Sequence, residues 1–85
     1  MIKLAPALAH RVIEGQAFIM DAREKVLHSL NGTGTLIWRG LAAGRPPEGI
    51  AAELSEAYDV AADAALADVR AFVDALRAKG LLTES

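Results

Sequence analysis

The chain has 85 residues, and its nine Lys and Arg against eleven Asp and Glu give a formal net charge of −2. This length corresponds to one domain, and we expect an ordered core over about 10–82 after a short lead-in. Cysteine is absent, which excludes disulfides and thiolate metal sites and favours a cytoplasmic location. No apolar run approaches the ~20 residues of a membrane span. The slightly acidic balance counts against nucleic acid, which proteins bind through clustered cations.

Residues 10–30 alternate between apolar and polar side chains with a period of two. Gly15 and the Asp-Ala-Arg turn at 21–23 interrupt this alternation at hairpin spacing, which predicts three short antiparallel strands. We expect these strands at 10–14, 16–20 and 24–30. The third strand would carry Val26, His28 and Leu30 on one face and Lys25, Leu27 and Ser29 on the other.

From Asn31 onward the apolar residues follow a helical period. Asn31 is a good N-cap and Gly44 is a good helix stop, so a first helix is expected over 32–42. The Pro-Pro pair at 46–47 suits the first turn of a second helix. The apolar residues of that helix recur at every fourth position, at Ile50, Leu54 and Tyr58.

A third helix is expected to begin near Asp63, a good cap, and to run to Lys79. Gly80 supplies the left-handed residue that ends it, and residues 81–82 would fold back onto the core. Its apolar stripe comprises Leu66, Val69, Phe72, Val73 and Leu76. Three strands leading into three helices predict an α+β domain, with a three-stranded antiparallel sheet and a winged helix-turn-helix arrangement.

Residues that carry enzyme chemistry are scattered along the chain. The two histidines, at positions 10 and 28, lack metal-ligand spacing, and the carboxylates form no evident pair for acid–base work. Glycine-rich phosphate loops and nucleophile motifs are missing. We therefore expect no enzymatic activity, no metal and no cofactor. Trp38, the single tryptophan, is expected to anchor the core.

A series of short motifs runs through the second half of the chain: LNGTG at 30–34, IW at 37–38, AYDV at 57–60, DVxxFxxxL at 68–76 and KGLL at 79–82. In this order and spacing, the chain resembles the PqqD-like family of peptide-binding domains, also called RiPP recognition elements. The resemblance covers residues 10–82. It implies that the third strand forms an edge of the sheet and that the third helix lies beside it.

The resemblance further implies a non-catalytic peptide chaperone. An edge strand can accept an extended peptide as a further strand, so the leader of a ribosomally made precursor would bind there. The leader would be presented to a modifying enzyme, such as a radical SAM enzyme, a cyclase or a peptidase, in a pyrroloquinoline quinone, lasso-peptide or other pathway. The expected contacts are the backbone of Lys25, Val26, Leu27, His28, Ser29 and Leu30, and the third-helix residues Asp68, Val69, Phe72, Leu76 and Arg77.

Two other functions fit a fold of this class. A winged-helix DNA-binding regulator would present Arg, Lys, Asn or Gln at the start of its recognition helix. The third helix here opens instead with small and acidic residues, including Asp63 and Asp68. A dimerisation module would use the free edge to form a homodimer. Within the peptide site, Phe72 is the preferred wall of a pocket, with core packing as the alternative.

Overall fold

The computed structural model describes residues 2–5 and 8–84. Along this part of the chain the elements follow in the order β1 (Ile2–Leu4), β2 (Leu8–Ile13), β3 (Gln16–Asp21), β4 (Val26–Ser29), α1 (Gly32–Ala42), α2 (Pro47–Tyr58), α3 (Ala62–Ala78) and β5 (Leu82–Glu84). Met1, Pro6 and Ala7, which belong to the expected lead-in, lie outside the described residues. The rest of that lead-in contains β1 and the first residues of β2.

The main sheet has three antiparallel strands, with β3 between β2 and β4. This sheet followed by the helices α1 to α3 confirms the predicted α+β fold. β1 pairs with β5 in a separate two-stranded antiparallel sheet, which the sequence pattern does not predict. Each of these two strands has three residues, too few for a two-residue period to be recognised.

The strand β4 is shorter than expected. Residues 22–25 form the turn before it, and Lys25 has a left-handed backbone with a φ of 55°. A residue with positive φ does not continue an extended strand, so β4 spans Val26–Ser29 rather than 24–30. Lys25 therefore belongs to the turn.

The core lies between the main sheet and the helices. Ala17 and Ile19 of β3 are fully buried, and so is Trp38 of α1, which confirms its predicted role as a core anchor. The ring of His10 stands edge-on to the Trp38 ring, with 5.6 Å between the ring centroids. The helices add Ile37, Leu41, Ile50, Leu54, Val69, Val73 and Leu76, and Leu81 and Leu82 fold back onto the same core as predicted.

The helix starts agree only in part with the expected caps. The side-chain oxygen of Asn31 accepts a hydrogen bond from the Gly34 amide at 2.8 Å, which confirms this cap. For α3 the predicted cap is wrong, because Ala61 occupies the N-cap position and Asp63 lies inside the first turn. The Asp63 carboxylate accepts from the Ala64 amide at 2.9 Å and still favours the positive helix end. No helix in the described part of the chain is long and apolar enough to cross a membrane.

The helices α1 and α2 approach each other closely at Gly40. A Cβ atom on Gly40 would lie 2.6 Å from Cγ1 and 2.9 Å from Cδ1 of Ile50. Because Ile50 is fully buried, it cannot move aside without disturbing the core. The absence of a side chain at Gly40 therefore lets Ile50 pack directly on the backbone of α1.

We expect Gly40→Ala to destabilise the protein, because overpacking a core costs about 1–3 kcal/mol and outweighs a gain of up to about 1 kcal/mol in helix propensity. Gly49→Ala is the matched control. Its Cβ atom would lie 3.7 Å from Cγ of Pro46, an ordinary contact, so this substitution should stabilise α2. Urea unfolding followed by Trp38 fluorescence measures both changes. Equal stabilisation by the two substitutions would contradict the close contact at Gly40.

Candidate functional site

β4 is an edge strand, and within the described residues it pairs with β3 on one side only. The amide of Leu30, directly after β4, donates to the carbonyl of Ala17 at 2.9 Å. In an antiparallel pair, successive residues direct their backbone groups alternately toward and away from the partner strand. The backbone N–H and C=O groups of His28 therefore also point toward β3, whereas those of Leu27 and Ser29 point to the open side.

The end of β4 is held by Thr35 of α1. The buried Thr35 hydroxyl donates to the Leu30 carbonyl at 3.3 Å and accepts from the Ala17 amide at 2.8 Å. The hydroxyl thus replaces the direct hydrogen bond that the Ala17 amide would otherwise donate to the Leu30 carbonyl between the two strands. Sequence reasoning missed Thr35, because a helical threonine gives no local signal of a partner 18 positions away.

The start of β4 is held by Arg23, in the turn before the strand. Its Nη2 donates to the Gly80 carbonyl at 2.8 Å, and its Nε donates to Oδ1 of Asp21 at 3.3 Å. Gly80 directly follows α3 and its C-cap, with a φ of 76°, which confirms the predicted left-handed helix end. This Asp21–Arg23–Gly80 contact, here called the Arg23 clamp, places the start of β4 beside the end of α3.

The opposite end of β4 lies beside Phe72 of α3. A Cβ atom on Gly34 would lie 3.1 Å from Cε2 of Phe72 and 3.4 Å from Cβ of Leu30. The side chains of Phe72 and Leu30 therefore both lie beside Gly34. Since the Arg23 clamp holds the other end, β4 runs antiparallel to α3. Phe72 is half-buried and packs against the core, and it also lines a cavity; its role as the wall of a peptide pocket stays a prediction.

Between these two ends, the described elements that pack closely on α3 are α2, α1 and β5, whereas β4 packs on β3. β4 and α3 therefore share little direct packing, and we name the region between them the β4–α3 slot. A cavity of about 430 Å³ adjoins it at Phe72. The buried Ile37 and Leu54 line this cavity, and the exposed Asn31 and Asp68 lie at its mouth. An apolar interior with a few polar groups at the rim suits one large apolar side chain.

Of the residues expected from the sequence, Val26, Leu27, His28 and Ser29 form β4, Leu30 follows it and Lys25 lies in the turn before it. Asp68 and Phe72 of α3 line the adjoining cavity. Three others lie elsewhere. Val69 and Leu76 are buried in the core, and Arg77 lies on another face of α3, where it donates to Asp74 at 3.3 Å. A periodic stripe identifies the apolar side of a helix but not which edge of that side stays open, so the sequence pattern did not separate these residues.

Asp21 is the buried carboxylate of the Arg23 clamp. Burial opposes its ionisation, but the hydrogen bonds from the Arg23 side chain and from the amides of Arg23 and Glu24, together with the Arg23 charge, prevail. They hold the pKa of the Asp21 carboxyl below its ordinary value of 3.8. The clamp is therefore an ion pair at neutral pH. The sequence pattern placed Asp21 in a turn and gave no sign of this role.

The family model described as coenzyme PQQ synthesis protein D (PqqD) matches residues 16–82. This segment is well over half of the 85 residues and includes every element of the β4–α3 slot. The chain therefore belongs to the PqqD family, as its motifs indicate. No curated protein matches the chain.

Two solved structures are similar to this chain over almost its whole length. TbiB1 in complex with the TbiA(beta) leader peptide is 26% identical, with a TM-score of 0.91 over 98% of this chain and 96% of that chain. Lasso peptide synthetase B1 complexed with the leader peptide is also 26% identical, with a TM-score of 0.89 over 98% of both chains. Both similar structures are thus complexes with a leader peptide.

We expect Asp21→Asn to destabilise the protein at neutral pH. Because folding lowers the pKa of Asp21, its stabilisation is complete above the unfolded-state value, here taken as 3.8, and is lost as the pH falls through the folded-state pKa. Urea unfolding of both proteins at about pH 7 and about pH 2 measures the difference, which should shrink at the lower pH. The other carboxylates are the same in both proteins, so their effects cancel in the difference between the two free energies of unfolding. A difference that does not change with pH would contradict the ion pair.

Proposed function

We propose that this protein binds the leader of a ribosomally made precursor peptide by strand addition to β4, and presents it to a modifying enzyme. The observation that carries the proposal is the open backbone of Leu27 and Ser29 beside the β4–α3 slot. The leader-peptide complexes of two similar proteins support it. An added strand would satisfy backbone groups that otherwise bond to water.

The bound leader would form the fourth strand of the main sheet. Its backbone would exchange hydrogen bonds with Leu27 and Ser29, and its side chains would alternate between the two faces of the sheet. The inward side chains would enter the space between β4 and α3, next to Phe72. One large apolar side chain of the leader would fill the adjoining cavity of about 430 Å³. Backbone pairing thus sets the register, and the cavity supplies selectivity.

The role is one of binding, without bond making. Holding the leader raises the effective concentration of the attached core peptide at an enzyme such as a radical SAM enzyme, a cyclase or a peptidase. A leader affinity near the micromolar range, about −8 kcal/mol, is enough for this purpose. Asp21, whose pKa is lowered, is used in the Arg23 clamp, which supports a structural rather than a catalytic use of this buried carboxyl.

The first test separates the contribution of the Leu27 backbone to peptide binding from that of its side chain. Proline is tolerated on the open side of an edge strand, so Leu27→Pro removes the outward N–H while the bonds to β3 remain. The probe is a synthetic copy of the TbiA(beta) leader peptide, which is bound in the similar TbiB1 structure. We expect about tenfold weaker binding to Leu27→Pro, since a net hydrogen bond contributes about 1 kcal/mol and the strand geometry suffers. Leu27→Ala keeps the N–H and should bind within about twofold of the parent chain.

Calorimetry gives the affinities, and circular dichroism checks that both variants are folded. Hydrogen exchange then locates the peptide on the parent chain. The amides of Leu27 and Ser29 should gain protection, while those of His28 and Leu30, already bonded to β3, should change little. If saturating leader leaves the amides of Leu27 and Ser29 unprotected, strand addition at this edge is ruled out.

A further inference from the structure

The charged side chains of α3 divide between two faces of the helix. On one face they are paired within the molecule, Arg70 with Glu48 at 3.8 Å and Arg77 with Asp74 at 3.3 Å. Asp68 and Lys79 are exposed. Among the described residues, neither of them forms an ion pair. Asp63 also forms no ion pair, but its carboxylate accepts from the Ala64 amide, so Asp68 and Lys79 are the opposite charges of this helix whose side chains have no described partner.

These two charges share the face of α3 that carries Phe72. Asp68 precedes Phe72 by four positions and Lys79 follows it by seven, and both spacings bring residues to the same side of a helix. Lys79 is the C-cap and keeps a helical backbone, with a φ of −84°, so the helical phase continues to it. Asp68 also lines the cavity beside Phe72. Because Phe72 and Leu30, the residue after β4, both lie beside Gly34, this face of α3 is the one nearest the slot.

The two ends of the β4–α3 slot consequently differ in charge. The Arg23 clamp brings the turn before β4 to the end of α3, so Lys25 lies at the same end as Lys79. The clamp itself is internally neutralised, since Arg23 pairs with Asp21 at 3.3 Å. The negative charge of Glu24, in the same turn, offsets the charge of one of the two lysines. This end of the slot therefore keeps a net positive charge.

We propose that the leader is recognised through charge as well as shape, with a basic side chain opposite Asp68 and an acidic one opposite Lys79. The proposal rests on the function proposed above and adds the chemistry of the peptide. At ~1.5 Å per residue, the two charges lie about 16 Å apart along α3. A strand covers that distance in about five residues, so the opposite charges of the leader lie about four to six residues apart.

This arrangement gives the slot a means of orienting its peptide. Strand addition alone allows parallel or antiparallel pairing and several registers, because backbone groups are the same in every residue. A reversed or shifted peptide would bring like charges together, which is unfavourable. Charges at the rim of an interface act mainly on specificity and association rate. The charges at the two ends of the slot therefore select one orientation.

The test reverses one charge in the protein and one in the peptide. The probe is the same synthetic leader, in which each basic residue is replaced in turn by glutamate. Asp68→Lys should weaken binding of the parent leader about fivefold, the upper range for an exposed ion pair. One glutamate variant of the leader should bind poorly to the parent protein and recover on Asp68→Lys. Lys79→Glu should likewise weaken binding of the parent leader. It should restore binding of one leader variant in which an acidic residue is replaced by a basic one.

Matched controls separate local pairing from net charge. Glu56→Lys makes the same charge change as Asp68→Lys on an exposed position of α2. Arg11→Glu makes the same charge change as Lys79→Glu on an exposed position of β2, away from the slot. Both should leave the affinity within about twofold. Equal effects of Asp68→Lys and Glu56→Lys, or the absence of any leader variant that recovers, would overturn the proposal. In that case, continued protection of the Leu27 and Ser29 amides by the leader would still support strand addition.

Discussion

The position of β4 relative to α3 depends on the side chain of Arg23. β4 bonds to β3 and α3 packs mainly on α2, so the strand and the helix share little direct packing. Arg23 connects them by donating to Asp21 at the end of β3 and to Gly80 after α3. With Phe72 at the other end, this contact marks the two ends of the slot within the molecule itself. A site formed in advance loses less free energy to ordering when its ligand binds.

The open edge and the neighbouring side chains have different roles in the proposed function. The backbone groups of Leu27 and Ser29 would hold an extended peptide of almost any sequence. In our proposal, selection among peptides comes from the cavity beside Phe72 and from the charges of Asp68 and Lys79. This division suits a protein that works with an enzyme acting elsewhere on the same precursor, since the tether needs only to keep the core peptide close.

The elements that sequence reasoning predicted well are those with strong local signals. The alternation before residue 30, the cap at Asn31 and the left-handed Gly80 define strands and helix ends through neighbouring residues alone. The misses have equally local causes. β1 and β5 are too short to show a period. Asp63 is favourable both as a cap and in a first turn, and the positive φ of Lys25 leaves no mark in the sequence.

The sequence by itself determined the α+β class, the three-stranded meander and the resemblance to the PqqD family, because hydrophobic period, caps and motif spacing are properties of nearby residues. The edge position of the third strand was implied by that resemblance. The tertiary structure decided which α3 residues border the slot and which pack in the core. It also decided the contacts that hold β4, from Thr35 to Ala17 over 18 positions and from Arg23 to Gly80 over 57. Such contacts depend on how distant segments pack, and many other residues could chemically have served as partners.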